Sequence, residues 1–345
     1  METLWFILVG FMLTMYVVLD GFDLGVGAIH LFVAKTEHER HLVLEAIGPV
    51  WDGNEVWLIA AGGTLFFTFP RLYGASFSGF YLPLMIVLWL LMLRGLAVEL
   101  RSRGNPVWRG LWDALFWLAS GLLPIFLGAG LANVVRGVPL NAQGYFFEAL
   151  WTDFDPRSSN PGVLDWYTVL IGGLAFTALL MHGANYLGFK TEAGLQLRAR
   201  RLAARGWLAT VLLTVLGTAA TFYVRPMLLG NFAIRPWGAV LPLAAVGGLV
   251  AVRVFHARCQ DGRSLLASGV FLAGMLASSA FALYPDVLPA TDRAYSLTVT
   301  NAAAPPYGLA VGLAWWSLGM LLALIYFAVV YRLFWGKVRL ADERY

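Results

Sequence analysis

Nine apolar runs, each long enough to cross a lipid bilayer, leave this chain few ways to fold. They cover residues 4–30, 51–69, 75–98, 111–134, 164–188, 207–224, 237–255, 265–284 and 307–334. A spanning helix needs roughly 20 mainly apolar residues. The runs are continuous rather than alternating, so they predict helices that pair their own backbone groups, not barrel strands. The chain is 59% hydrophobic and 13% charged, with mean hydropathy +0.71, whereas a soluble domain is typically about 25% charged. The expected fold is an all-α integral membrane protein with nine transmembrane helices. The first run has no basic start and no small-residue cleavage site, and it continues into "DGFDLGVG". It is expected to stay as the first span rather than be removed as a signal.

The basic residues predict an orientation. The first, third, fifth and seventh connections and the C-terminal tail hold seventeen Lys and Arg, among them Arg198, Arg200, Arg201, Arg339 and Arg344. The alternate connections hold six, from Arg71 to Arg293. Basic residues collect on the cytoplasmic side, so the N-terminus is expected outside and the C-terminus in the cytoplasm. The pI near 9.2 reflects this bias. Nucleic-acid binding would need a basic face on a soluble domain, and no such domain is legible. The single cysteine, Cys259, leaves no partner for an intrachain disulfide and too few thiolates for most iron–sulfur sites.

Four segments are expected: a first four-helix bundle over 1–135, an outside loop over 136–163, a second four-helix bundle over 164–284, and a ninth helix with a cytoplasmic tail over 285–345. The loop contains "GYFFEALWTDFDPRSSNPG", whose aromatics suit a membrane surface and whose Asp and Pro suit turns.

Charge inside the spans is uneven. The last four spans have none in their cores, while the first four carry Asp20, Asp23, Asp52, Glu55, Arg94, Glu99 and Asp113. At 1.5 Å per residue Asp20 lies about 24 Å along an inward-running helix, and Arg94 about 30 Å along the third. Asp52, Glu55 and Asp113 begin helices that start inside. All are thus expected in one slab near the cytoplasmic side. Asp20 with Asp23, and Asp52 with Glu55, are three residues apart and share a helix face. Ionised carboxylates in hydrocarbon are costly, so such groups mark proton relays, with Arg94 as counter-charge. A static ion-pair network is the competing reading, and it fits Glu99 and Asp113, near helix ends, best.

Haem would need an axial His or Met aimed into a bundle. His38, His41 and His256 read as loop residues, and His30 and His182 fall at span ends, so no haem or metal is expected on this chain. Trp51 and Trp57 flank the second acidic pair; they either pack there or wall off a path for protons or a small apolar gas.

"DGFDLGVG" (Asp20 to Gly27) and "PVWDGNEVWLIAAGGTLF" (Pro49 to Phe66) together resemble subunit II of the cytochrome bd-type quinol oxidases, including the cyanide-insensitive branch. "FSGFY" (Phe77 to Tyr81), "RGLAVELRS" (Arg94 to Ser102), "WRGLWD" (Trp108 to Asp113) and "GVPL" (Gly137 to Leu140) follow in the same order. The resemblance implies two four-helix bundles plus one peripheral helix, in the bacterial cytoplasmic membrane. It implies a partner, the haem-bearing subunit I, that holds the b- and d-type haems and the quinol site. Small accessory subunits, and a structural quinone or lipid, are compatible with it. Quinol oxidation would be coupled to reduction of oxygen to water. This chain would stabilise the partner and supply a proton path through Asp20, Asp23, Asp52 and Asp113, with an oxygen route near Trp57. Glu55 is an extra acid, since some family members have Gln there. A proton-coupled secondary transporter is the rival reading, but it would want matching charged halves, which this chain lacks. A purely structural scaffold is the third.

Overall fold

The computed structural model describes residues 1–338; Arg339 and Arg344 of the basic tail lie outside the described residues. Among the described residues eight helices are long and apolar enough to cross a membrane, and a ninth span arises if one bent pair is counted. They are α1 (Glu2–Val33), the bent pair α3 (Trp51–Thr68) and α4 (Pro70–Gly79), α5 (Tyr81–Arg103), α6 (Arg109–Arg136), α7 (Trp166–Lys190), α8 (Ala193–Val224), α10 (Val240–Ala257), α11 (Asp261–Leu283) and α12 (Pro306–Leu333). Two shorter helices, α2 (Glu37–Ile47) and α9 (Leu229–Ile234), complete the set.

Three boundaries differ from the sequence reading. Pro70, which has no N–H to continue a helix, opens α4 at an angle of 119° to α3. Residues 75–79 therefore belong to the bend, and the third span starts at Tyr81 rather than 75. The sixth run begins as a helix at Ala193, not 207, so the basic stretch "LQLRARRLAARG" is helical. At 1.5 Å per residue α8 is about 48 Å long, longer than a hydrocarbon core of about 30 Å, so its charged end stands clear of the lipid. The first connection is also structured: Thr36 caps α2, its side chain accepting from the Glu39 N–H.

Packing centres on α1, which contacts α3, α6, α7 and α11. The α1–α7 crossing is backbone on backbone. A Cβ added at Gly25 would lie 2.0 Å from the Leu179 carbonyl oxygen, and one at Gly183 would lie 2.4 Å from the Gly25 carbonyl carbon. Only glycine permits this approach. α7, α8, α10 and α11 pack in a ring, each against the next. α12 is outermost: Leu309 is its only buried residue, and Tyr326 and Phe327 lie over Gly53 of α3.

Two ends are distinguishable. The arginine-rich connections gather at one, called here the basic end. At the other, the loop end, a short antiparallel pair β1 (Asp286–Leu288) and β2 (Leu297–Thr298) forms, and Val138 bridges to Ala290. Trp5, Phe69, Val138, Leu288 and Leu309 share one buried apolar cluster there.

Candidate functional site

The first half of the chain holds a buried polar cluster among α1, α3, α5 and α12. Asp20 and Asp23 are fully buried on one face of α1. Arg94 of α5, also buried, donates from Nη1 to Asp20 Oδ1 at 2.6 Å and from Nη2 to Glu55 Oε2 at 2.8 Å. One planar guanidinium thus bridges carboxylates from α1 and α3, a fork an ammonium could not reproduce. Asp23 Oδ2 accepts from the Asn54 amide at 2.8 Å, and Asn54 Oδ1 accepts from the Tyr331 hydroxyl of α12 at 2.8 Å.

The sequence reading missed Asn54 and Tyr331. The "WDGN" stretch places Asn54 three residues after Trp51, on the buried face of α3, while Asp52 points away. Asp52 is exposed on the surface of this chain and joins no hydrogen bond or ion pair among the described residues. Glu99 is half-exposed and pairs with Arg103 at 3.3 Å. The slab of acids therefore divides into an interior cluster of Asp20, Asp23 and Glu55 with Arg94, and a surface position at Asp52.

Asp113 belongs to a third group at the basic end. It is buried and accepts from Arg101 Nε, and from Arg40 Nη1 at 2.9 Å, with His30 Nε2 at 3.6 Å. Arg101 and Arg109 reach on to Glu37 of α2, at 3.1 and 3.3 Å. The two groups are aligned along α1, His30 lying about 10 Å beyond Asp23. Between them Ser120 faces Gly27, its Oγ 2.1 Å from where a Cβ would sit. Several buried polar atoms on this line form no close hydrogen bond within the chain: Tyr16 Oη, Asp20 Oδ2, Asp23 Oδ1 and Ser120 Oγ. Such atoms ordinarily bind internal water.

The two histidines within the spans make other contacts. His30 and His182 are buried rather than at the surface. His182 spends both ring nitrogens, on Ser268 Oγ at 2.7 Å and the Val18 carbonyl at 2.9 Å. His30 Nδ1 meets the Gly27 carbonyl at 2.8 Å. Among the described residues no group of three or more His, Cys, Asp or Glu is placed to hold a metal ion. Trp57 is buried against Phe11 (centroids 5.9 Å apart) and stacks on Phe327 (5.4 Å).

A second buried network, unforeseen from sequence, sits at the loop end. Arg136 donates to Asp165, to Glu148 Oε1 at 2.8 Å, to Asn133 Oδ1 at 2.7 Å and to the Gly162 carbonyl at 2.9 Å. Asp165 also caps α7 by accepting from the Tyr167 and Thr168 N–H groups. Two carboxylates share one guanidinium, and burial lifts the Glu148 carboxyl to about 7 against the pull of Arg136. A capping Asp before "WYT" was the one legible signal here.

Comparison with known proteins agrees with the sequence resemblance. The family model for cytochrome bd terminal oxidase subunit II matches residues 1–334. The cytochrome bd ubiquinol oxidase subunit 2 of Bacillus subtilis is 33% identical, over 90% of this chain and 89% of its own. The cytochrome bd-I ubiquinol oxidase subunit 2 of Escherichia coli K12 is 30% identical, over 98% and 95%. A probable cytochrome oxidase subunit 2 of Haemophilus influenzae is 30% identical, over 97% and 94%. In fold, the chain is similar to one in the bd oxidase of Geobacillus thermodenitrificans, with TM-score 0.76 and 21% identity over 97% of this chain and 98% of that one. With the match running through nearly the whole length, this chain belongs to the cytochrome bd terminal oxidase subunit II family.

Proposed function

We propose that this chain is the second subunit of a bd-type quinol:oxygen oxidoreductase and that its interior acids conduct protons toward a haem-bearing partner. The family assignment carries the first part. It makes the chain a multi-pass protein of the bacterial cytoplasmic membrane and gives the transporter reading no support. The haems, and the quinol site, belong to subunit I in this reading; His182, with both ring nitrogens hydrogen-bonded, is consistent with that. The positive-inside bias puts the basic end in the cytoplasm. α1, α3, α5 and α6 form the first bundle over 1–135, α7, α8, α10 and α11 the second over 164–284. The segment 136–163 is the outside loop, and 285–345 supplies the peripheral α12 and the tail.

The observation that carries the proton role is the line of buried polar atoms on α1 and α6 that form no close hydrogen bond within the chain. Protons enter at the basic end near His30 and Asp113, pass Ser120 through bound water, and reach Asp23 and Asp20. Arg94 balances the negative charge of Asp20 and Glu55, leaving Asp23, held only by neutral Asn54, as the group that loads and unloads. Asp52, exposed on the face of α3, hands protons across to the partner. Trp57 walls the apolar side, where oxygen can move without meeting the acids.

Asp52→Asn and Asp23→Asn test this in the purified complex, with quinol-driven oxygen uptake as the readout. Assembly intact and turnover reduced supports conduction. Wild-type turnover in both variants removes these residues from the path, and loss of assembly marks the network as structural.

A further inference from the structure

A groove of about 540 Å³ opens between α10 and α11, on the half of the molecule away from the acidic cluster. It exists because α10 presents Ala244, Gly247 and Ala251 along one stripe, opposite Val270 of α11. The neighbouring Gly248 lets the two backbones touch: a Cβ there would lie 2.7 Å from the Phe271 nitrogen. Gly247 is different, since a Cβ at that position meets nothing within 4 Å. The floor is therefore open space bordered by packed helices.

The groove is apolar except at its basic end, where Phe255 and Arg263 close it. The Arg263 guanidinium lies over the Phe255 ring at 5.9 Å and donates to Gln260 at 3.1 Å. Arg258, the residue that ends α10, follows on the same helix face as Ala251 and Phe255, whereas Arg253 is turned the other way, over the Trp207 ring of α8 at 6.0 Å. Neither Arg258 nor Arg263 forms an ion pair among the described residues. The nearby carboxylate, Asp261, is already taken by Arg200, at 2.8 and 2.6 Å. From Ala244 to Phe255 is about 16 Å along the helix, half of a hydrocarbon core about 30 Å thick.

From this geometry we infer that the α10–α11 groove is a binding site for an anionic phospholipid, one acyl chain along the small-residue stripe and the phosphate between Arg258 and Arg263. The half-membrane depth fits a chain from one leaflet, not a spanning helix. The uncompensated positive charge fits an anionic headgroup and not a zwitterionic one. The site does not depend on the proton path or on which side of the membrane the basic end faces.

Native mass spectrometry of the delipidated intact complex tests it, titrating phosphatidylglycerol against phosphatidylcholine of the same acyl chains. Wild type should hold phosphatidylglycerol preferentially. Arg258→Gln and Arg263→Gln should each weaken that binding about fivefold, the effect of about 1 kcal/mol per basic residue near an anionic headgroup. Gly247→Phe should fill the groove and displace the tightest-bound lipid. Equal binding of the two lipids by wild type, or unchanged binding in both Arg263→Gln and Gly247→Phe, overturns the proposal. So does a photoreactive side chain at Val270 that captures a protein subunit in place of lipid.

Discussion

Arg94 and Asp20 meet at 2.6 Å inside the membrane-spanning part of the chain, both out of reach of solvent. An ion pair in that setting is held by mutual need, because either member alone would be an uncompensated charge in a low dielectric.

Replacing Arg94 should therefore be severe. Arg94→Gln leaves Asp20 and Glu55 facing each other without a cation, and breaking a buried pair typically costs about 3–5 kcal/mol. The complex should assemble poorly and melt at lower temperature. Arg94→Lys should rescue only in part, because one ammonium cannot donate along both directions of the fork. A thermal melt of the purified variants checks both.

Asp23 and Asp113 should separate function from structure. Asp23→Asn keeps the shape and a hydrogen-bonding oxygen toward Asn54, so assembly should persist while turnover drops about a hundredfold or more, the usual scale for losing a proton-transfer group. Asp113→Ala takes the buried carboxylate away from Arg101, which keeps only Glu37, and from the partly exposed Arg40, so it should lower stability by about 1.5–3 kcal/mol. Oxygen uptake per assembled complex, beside a melting curve, distinguishes the two patterns.

At the loop end, docking of residues 146–165 should depend on pH. Glu148 rises from the ordinary 4.5 to about 7 on burial. The docked loop thus binds a proton more tightly than the released loop. Its stabilisation is full below about 4.5 and falls as pH rises through 7, by up to about tenfold per pH unit in the docking equilibrium. Hydrogen exchange of the loop amides, corrected for intrinsic rates, should show this slope, and Glu148→Gln should flatten it.

The α1–α7 crossing should tolerate no side chain. Gly25→Ala places a Cβ 2.0 Å from a backbone oxygen that cannot move aside. Gly10→Ala, with nothing within 4 Å, is the matched control and should be neutral. The yield of assembled complex compares them directly.

The all-α, multi-span architecture of eight or nine crossings and the grouping of acids on the first four helices were legible because hydropathy and charge are averaged over many residues. The facing of single side chains was not. Asp52 and Glu55 are three apart, yet Asp52 is exposed and Glu55 reaches Arg94. A three-residue step turns a helix by 300°, which leaves the two side chains about 60° apart and lets the edge of a packed face fall between them. Tyr331 joins Asn54 across 277 residues of sequence, a pairing no local pattern encodes. The elbow at Pro70 was hidden because apolar residues continue on both sides of it.

The glycine seam between α1 and α7 also partitions the molecule. Where two main chains lie in contact, as at Gly25 and Gly183, there is no room for a thread of water, so charge following the proposed route along α1 would not leak across that crossing into the ring of helices behind it. In the proposed proton route, one half of the chain would carry current and the other would insulate it. Changes in α8, α10 and α11 can then adjust how the subunit sits in its lipid without short-circuiting the wire.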